Sequence, residues 1–285
     1  MNNVKKEIAG LVRFIQDEVK GAGRESCIVG VSGGIDSAVI LALCNLAFPN
    51  NVYGLSLPSD VANKDLGTVI VEGGNKGNSS MVRAQELCTK FSIPLQVVQL
   101  EKPKYLAGMS GLAVGNFMAR QRMAILYLYA EKHKGMVIGT DNLTENYIGY
   151  FTKYGDGGVD INPIGEYFKS EVVELAKELG VPDSIINAKP SAELWEGQTD
   201  EGELEMTYSD MDRFIPIAME FDRFLINQTA TTETKDTPFA DIVAMFDKTL
   251  IGIPQRELHI INKLIFMHHN TEHKRVIPKE YHRGH

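Results

Sequence analysis

Four short, almost continuously apolar runs recur along this chain, and their alternation with helix-length segments restricts the fold more than any other feature. The runs are SCIVGVS (26–32), NVYGLSLP (51–58), LQVVQL (95–100) and GMVIGT (135–140). VKKEIAGLVRFIQDEV (4–19) places Ile8, Leu11, Val12, Ile15 and Val19 at helical spacing. IDSAVILALCNLA (35–47), SSMVRAQELCTKFS (79–92), with Ser and Asn available as N-caps, and NFMARQRMAILYLYAEKH (116–133) are rich in good helix formers. A strand that is apolar on nearly every residue has to be covered on both faces. Parallel strands achieve this through right-handed helical crossovers. The expectation is therefore an α/β fold, a doubly wound parallel sheet with helices on both faces, in a single domain.

In such a sheet ligands gather outside the carboxyl ends of the strands. Three polar segments fall there: SGGIDS (32–37) after the first strand, LPSD (57–60) after the second, and GTDNLTEN (139–146) after the fourth. The first looks like a phosphate-binding turn, yet it lacks the lysine that a nucleotide P-loop places just after its last glycine. Gly33 and Gly34 allow close backbone approach to an anion, and a helix starting near Ile35 adds its positive end. Ser32 and Ser37 offer hydroxyls. A carboxylate at Asp36 would repel a phosphate unless a divalent cation lay between them, so the loop implies Mg²⁺.

Bulk properties exclude other classes. A net charge of −8 opposes non-specific nucleic-acid binding, which needs a basic surface. No apolar run approaches the roughly 20 residues of a membrane helix, and MNNVKKEIAG has no apolar core of the signal-peptide kind. Cys27, Cys44 and Cys88 are odd in number, widely spaced and set in apolar segments, so they read as buried thiols of a cytoplasmic protein rather than zinc ligands.

SGGIDS in its strand-to-helix setting resembles the signature of the PP-loop ATP pyrophosphatases, a Rossmann-like superfamily that cleaves ATP between its α- and β-phosphates and transfers AMP to a substrate oxygen. GTDNLTENYIGYFTKYGDGGVDINPI (139–164) is similar to the central signature of the ammonia-dependent NAD synthetases. GNFMARQRM (115–123), KPSAEL (189–194) and TEHKR (271–275) follow in that family's order. The resemblance implies that ATP, deamido-NAD and ammonia give AMP, diphosphate and NAD through an adenylated nicotinate carboxylate, in the last step of NAD biosynthesis. It also implies that ATP is bound by Gly30, Val31, Ser32, Gly33, Gly34, Ile35, Asp36 and Ser37, with Thr140, Lys169 and Ser191, the last standing where the family usually has threonine. Mg²⁺ would be held by Asp36 and Glu145. Deamido-NAD would meet Arg120, Lys153, Asp160, His273 and Lys274, across a homodimer interface. The larger family members carry a glutaminase domain; none is expected here, which leaves free ammonia or a separate donor protein as the source.

Asp156, in KYGDGG, has two readings: a carboxylate that attracts ammonium and accepts a proton, or the side chain of an Asp-Gly-Gly turn. Lys153 and Lys169 taken alone would be solvated lysines, Arg120 an ion-pair partner, and His273 and Lys274 a basic tail. The neighbouring His268 and His269 lack metal spacing, and Tyr127 and Tyr150 read as packing residues or, as the family resemblance implies, as aromatic contacts to the dinucleotide. VEGGNKGNSS (71–80) and AELWEGQTDEGELEMT (192–207) are expected to be mobile, the second either as a solvated loop leading to a helix or as a lid over the strand ends. The stretches 63–80 and about 222–255 match no family motif. Two alternatives stand beside the main reading. A tRNA-modifying or other adenylating PP-loop enzyme would favour a basic face and paired cysteines, and an ATP-sensing module would have no need of both carboxylates.

Overall fold

The structure, a computed structural model, describes residues 3–59, 79–189, 199–229 and 238–278. Chain contacts divide it into two compact units, residues 1–143 with 151–203, and 144–150 with 204–285.

The first unit is built on four parallel strands: β1 (Ser26–Gly30), β2 (Val52–Ser56), β3 (Leu95–Val97) and β4 (Gly135–Ile138), in the spatial order β3-β2-β1-β4. Five helices cover them: α1 (Val4–Gly21), α2 (Ile35–Ala47), α3 (Ser79–Lys90), α4 (Gly111–Lys132) and α6 (Lys169–Glu178). Strand side chains alternate between two cores. Cys27, Val29, Val31, Val52, Met136 and Ile138 join residues of α1, α2, α3 and α6, whereas Ile28, Leu55 and Val137 join Met118, Ala130 and their neighbours on α4. The α/β fold class with helices on both faces is thus what the apolar runs imply. From β1 the chain steps outward through β2 to β3, then crosses back to place β4 on the other side of β1. The carboxyl ends of β1 and β4 therefore flank the switch point.

Element boundaries depart from expectation where short-range signals mislead. β3 closes at Val97, but Val98 and Leu100 still donate to the carbonyls of Ser56 and Pro58, at 3.0 and 2.8 Å. α4 starts five residues before 116 because the Ser110 hydroxyl caps Ala113 N–H at 3.2 Å and outweighs two early glycines. A further segment, unforeseen, lies along β4: Ile161 bridges Ile138 in parallel, Gly139 N–H donates to Ile161 O at 2.7 Å, and Asp160 N–H to Val137 O at 3.0 Å.

The second unit contains most of α5 (Leu143–Ile148) with α9 (Tyr208–Thr229), α10 (Phe239–Asp247), α11 (Gln255–Asn270) and α12 (Glu272–Arg275). The short helices α7 (Asp183–Ile186) and α8 (Asp200–Leu204) complete the chain order. The core of this unit includes Met211, Phe214, Phe221, Val243, Phe246, Ile261 and Leu264. Much of the unmatched 222–255 stretch is α10 and the end of α9, where the Phe221 ring meets Phe239 and Phe246 edge-on. Of the two segments expected to be mobile, 71–78 and 192–198 lie outside the described residues. Ser79 and Ser80 begin α3, and Asp200–Leu204 is helical. No helix among the described residues is long and apolar enough to cross a membrane.

Candidate active site

At the carboxyl end of β1 the chain turns sharply at Gly33, whose φ of +82° lies where a side chain is disfavoured. Space forbids one as well, since a Cβ there would sit 2.1 Å from the Ser80 carbonyl oxygen. Arg83 Nε donates to Gly33 O at 2.8 Å, so the start of α3 buttresses the loop. Two hydroxyls hold it from inside. Ser37 Oγ donates to Gly34 O at 2.9 Å, lies 3.1 Å from Ser32 Oγ, and that oxygen accepts from Gly34 N–H at 3.2 Å. Gly34 is the N-cap of α2, with no side chain to satisfy the helix N–H groups behind it.

Asp36, in the first turn of α2, joins three elements. Its Oδ1 accepts from Asn142 Nδ2 at 3.0 Å and its Oδ2 from Lys169 Nζ at 2.5 Å. Lys169 opens α6, where Glu171 reaches back to Phe168 N–H at 2.9 Å. The ion-paired side chains are only 8 and 16% exposed. Asn142 is fully buried and was not among the expected site residues. Its sequence signal is its place in GTDNLTEN (139–146), the polar segment that follows the fourth strand. Ser80 and Arg83, too, escaped sequence reading, because they act on the loop through a backbone carbonyl and a distant side chain. Thr140, half-buried, follows β4 directly, and Gly139 leaves no room for a Cβ against Val159 and Asn162.

A second set of contacts ties the 151–158 loop to α4. Arg120 Nε donates to Lys153 O at 3.2 Å, and Thr152 Oγ1 to Asn116 Oδ1 at 2.6 Å. Asp156 Oδ1 accepts Thr152 N–H at 2.9 Å, which is the turn role. A Cβ on Gly157 would meet the Phe151 ring at 2.5 Å, so this turn is closely packed. Lys153 Nζ lies 5.3 Å from the centre of the Tyr154 ring. Asp160 belongs to neither set. It lies beside β4, where Val137 N–H reaches Oδ2 at 2.7 Å and Tyr127 OH reaches Oδ1 at 3.0 Å. Burial, and then the Asp160 charge, push the Tyr127 pKa up, so its hydroxyl remains a donor. The two residues share a cavity of about 270 Å³ with Arg24, Glu131 and Met136.

The second unit carries three more expected residues. Glu145, on α5, accepts the Tyr208 hydroxyl on Oε1 at 3.1 Å. Lys274 donates to Gly149 O at 2.8 Å, and His273 is exposed on α12. The basic tail is therefore a structured helix. Ser191 lies outside the described residues. All three cysteines are buried free thiols, and among the described residues no cluster of three or more His, Cys, Asp or Glu could hold a metal.

The family model described as NAD synthase matches residues 7–278. An NH(3)-dependent NAD(+) synthetase from Alkaliphilus oremlandii is 38% identical over 278 residues, 97% of this chain and 96% of its own length. One from Helicobacter pylori is 38% identical over 235 residues, 81% of this chain and 84% of its own length. Among solved structures, an NMN synthetase from Francisella tularensis is 32% identical with a TM-score of 0.74, spanning 98% of both chains. An NH3-dependent NAD synthetase from Campylobacter jejuni has a TM-score of 0.70 at 24% identity, spanning 98% of this chain and 99% of its own, and shows the shared fold.

Proposed function

The chain belongs to the NAD synthase family and is a ligase that joins carbon to nitrogen, and from that premise we propose how its residues divide the work. The reaction is ammonia-dependent NAD synthesis: ATP, deamido-NAD and ammonia give AMP, diphosphate and NAD. The nicotinate carboxylate attacks the α-phosphorus, diphosphate leaves, and ammonia then displaces AMP from the adenylated carboxyl. No covalent nucleophile on the enzyme is needed, so its work is positioning and charge neutralisation.

The observation that carries this reading is the buried Lys169–Asp36 pair beside a rigid glycine turn at the β1/β4 switch point. Backbone N–H groups of residues 33–37 and the start of α2 cradle the departing diphosphate. Lys169 neutralises it, and Thr140 and Ser191 contact ATP. Arg120, Lys153, Asp160, His273 and Lys274 receive deamido-NAD, and Asp156 draws ammonium and takes its proton.

Asp36 and Glu145 would each offer Mg²⁺ a hard carboxylate oxygen. Asp36 is already engaged by Lys169, and no larger carboxylate cluster is present among the described residues, so the remaining ligands would be phosphate oxygens and water. When bound, the ion supplies charge neutralisation on the phosphates. The chain would work in the cytoplasm as a homodimer, supplied with free ammonia or by a separate donor; its buried reduced thiols suit that compartment.

A second reading concerns the acceptor alone. Likeness to the Francisella NMN synthetase over the whole chain favours testing nicotinate mononucleotide beside deamido-NAD. Incubation with ATP, Mg²⁺, ammonium and deamido-NAD should yield NAD and AMP in equal amounts. No product, or ADP in place of AMP, refutes the reaction. A higher kcat/KM for the mononucleotide would select the second acceptor.

A further inference from the structure

The helix α5 spans only six residues, too few to persist on its own, and its last carbonyls have no partner within the helix. Side chains of 268–275 reach four consecutive carbonyls there. Asn146 O accepts from Arg275 at 3.3 Å, and Tyr147 O from Arg275 at 3.2 Å. His268 Nδ1 lies 2.8 Å from the same Tyr147 oxygen, which calls for a proton on that nitrogen. Gly149 O accepts from Lys274 Nζ at 2.8 Å, and Thr271 Oγ1, whose nearest acceptor is Met267 O at 2.6 Å, also lies 3.2 Å from Ile148 O. The His268 and Tyr147 rings stack with centroids 4.2 Å apart. Gly149 has a φ of +70°, and a Cβ there would lie 2.3 Å from Thr271 Cβ.

Arg275 is the hub of this grip. Besides the two α5 carbonyls it donates to Thr271 Oγ1 at 2.8 Å and to His268 O, joining the carboxyl-terminal ends of α5 and α11. Its charge and that of Lys274 sit where a helix end is negative. At the other end of α5, Thr144 Oγ1 donates to Asp212 at 2.6 Å and Tyr208 holds Glu145. The side chain of Glu145 thus stands on a helix fixed at both ends by the carboxyl-terminal part of the chain.

We propose that 268–275 is a positioning clamp for α5, with Arg275 as its principal residue, and that it sets the placement of Glu145. The link to catalysis rests on the reading of Glu145 as a metal ligand. The grip on α5 does not.

The test uses the full-length protein and the variants Arg275→Met, Arg275→Lys and Thr271→Val. Binding of Mn²⁺ with ATP, and no deamido-NAD, is followed by electron paramagnetic resonance; amide exchange of 144–150 is read by mass spectrometry. In Arg275→Met, exchange of 144–150 should accelerate and the Mn²⁺ dissociation constant rise about 10-fold, the low end for loss of a group that orients a ligand. The KM for ATP at saturating metal should move less than about 2-fold, because the clamp acts on a metal ligand and leaves the glycine loop intact. Arg275→Lys, which keeps the charge and one donor, should recover part of both. If Arg275→Met does not fold, Arg275→Lys and Thr271→Val carry the same readouts. A lowered Tm with unchanged exchange and unchanged Mn²⁺ affinity overturns the proposal. Faster exchange at unchanged Mn²⁺ affinity, with Glu145→Gln also binding Mn²⁺ normally, upholds the clamp and removes the ligand reading of Glu145. Absence of NAD production by the unmodified protein refutes the reaction alone.

Discussion

The Lys169–Asp36 pair offers a measurement that does not depend on any assigned activity. Lys169→Met removes the ammonium 2.5 Å from Asp36 Oδ2 and leaves that carboxylate with Asn142 alone, in a place where the two side chains are 8 and 16% exposed. Removing one partner of a buried pair costs about 3–5 kcal/mol, chiefly because the survivor stays desolvated. Asp36 retains a little access to water and one good donor, so the lower end, about 3 kcal/mol, is the expected loss. For a chain of this size each kcal/mol moves Tm by roughly 2–4 °C, giving a fall of about 6–12 °C. Asp36→Asn should cost a similar amount, because it takes the buried carboxylate away from the Lys169 ammonium. The double variant should cost less than the sum of the singles by about 1–3 kcal/mol, because both singles remove the same interaction. Urea titration of all four proteins, followed by a probe on the first unit, measures this cycle. Single losses below about 1 kcal/mol, or additivity within about 0.5 kcal/mol, would refute the argument that a desolvated ion pair joins α2 to α6. Activity cannot replace this assay, since either substitution would silence the proposed site for more than one reason.

Three further outcomes follow. Gly33→Ala has to place a methyl 2.1 Å from a backbone oxygen at a positive φ, so the loop or α3 has to shift; loss of ATP binding with the fold retained is expected by calorimetry, and unchanged ATP affinity would show the turn has slack. Asp156→Asn keeps an oxygen to accept Thr152 N–H but loses the charge, so turnover with ammonium should drop at unchanged ATP affinity; equal turnover across pH would leave Asp156 with its turn role alone. Acid should loosen the second unit. The His269 imidazole, with Nε2 3.3 Å from Asp222 Oδ1, assisted by nearby positive charges and opposed by burial, holds the Asp222 carboxyl low, while burial pulls His268 below the ordinary histidine value. Both folded pKa values are depressed. The His268 contribution is full above about pH 6.5 and declines as the pH falls from there, and that of Asp222 declines only below the ordinary carboxylate range near about 3.9. Thermal melts between pH 8 and 5 should show a loss that His268→Gln reduces; an identical loss in the variant would remove His268 as its source.

The sheet was legible because its signal is local. An apolar run between helical segments already states that both faces are covered, and Cys27, Ile28 and Val29 go to alternating cores as a period of two requires. Less was legible where pairing replaced periodicity. Nothing in VDI marks residues 160–161 as a further edge to β4, because the pairing rests on Gly139 admitting Ile161 at close range. The start of α4 was missed for a related reason: Gly111 and Gly115 lower the local helix propensity, and the Ser110 cap that offsets them is a single residue.

The site divides along the same line. Residues within one short motif, Gly30 to Ser37, could be read together because their spacing along the chain is their spacing in space. Lys169 looked like a solvated lysine until a family motif surrounded it; its burial depends on Asp36, 133 residues earlier. Asn142 falls within the 139–164 signature, but an uncharged amide there does not by itself point to Asp36, 106 residues away. The clamp on α5 is less legible still, because its acceptors are backbone carbonyls, which every sequence has. Side chains that bind one another leave complementary letters in a sequence. Side chains that bind backbone leave only one letter of each pair, so the partners of Arg275, within TEHKR, and of Arg83 could be found only through the structure.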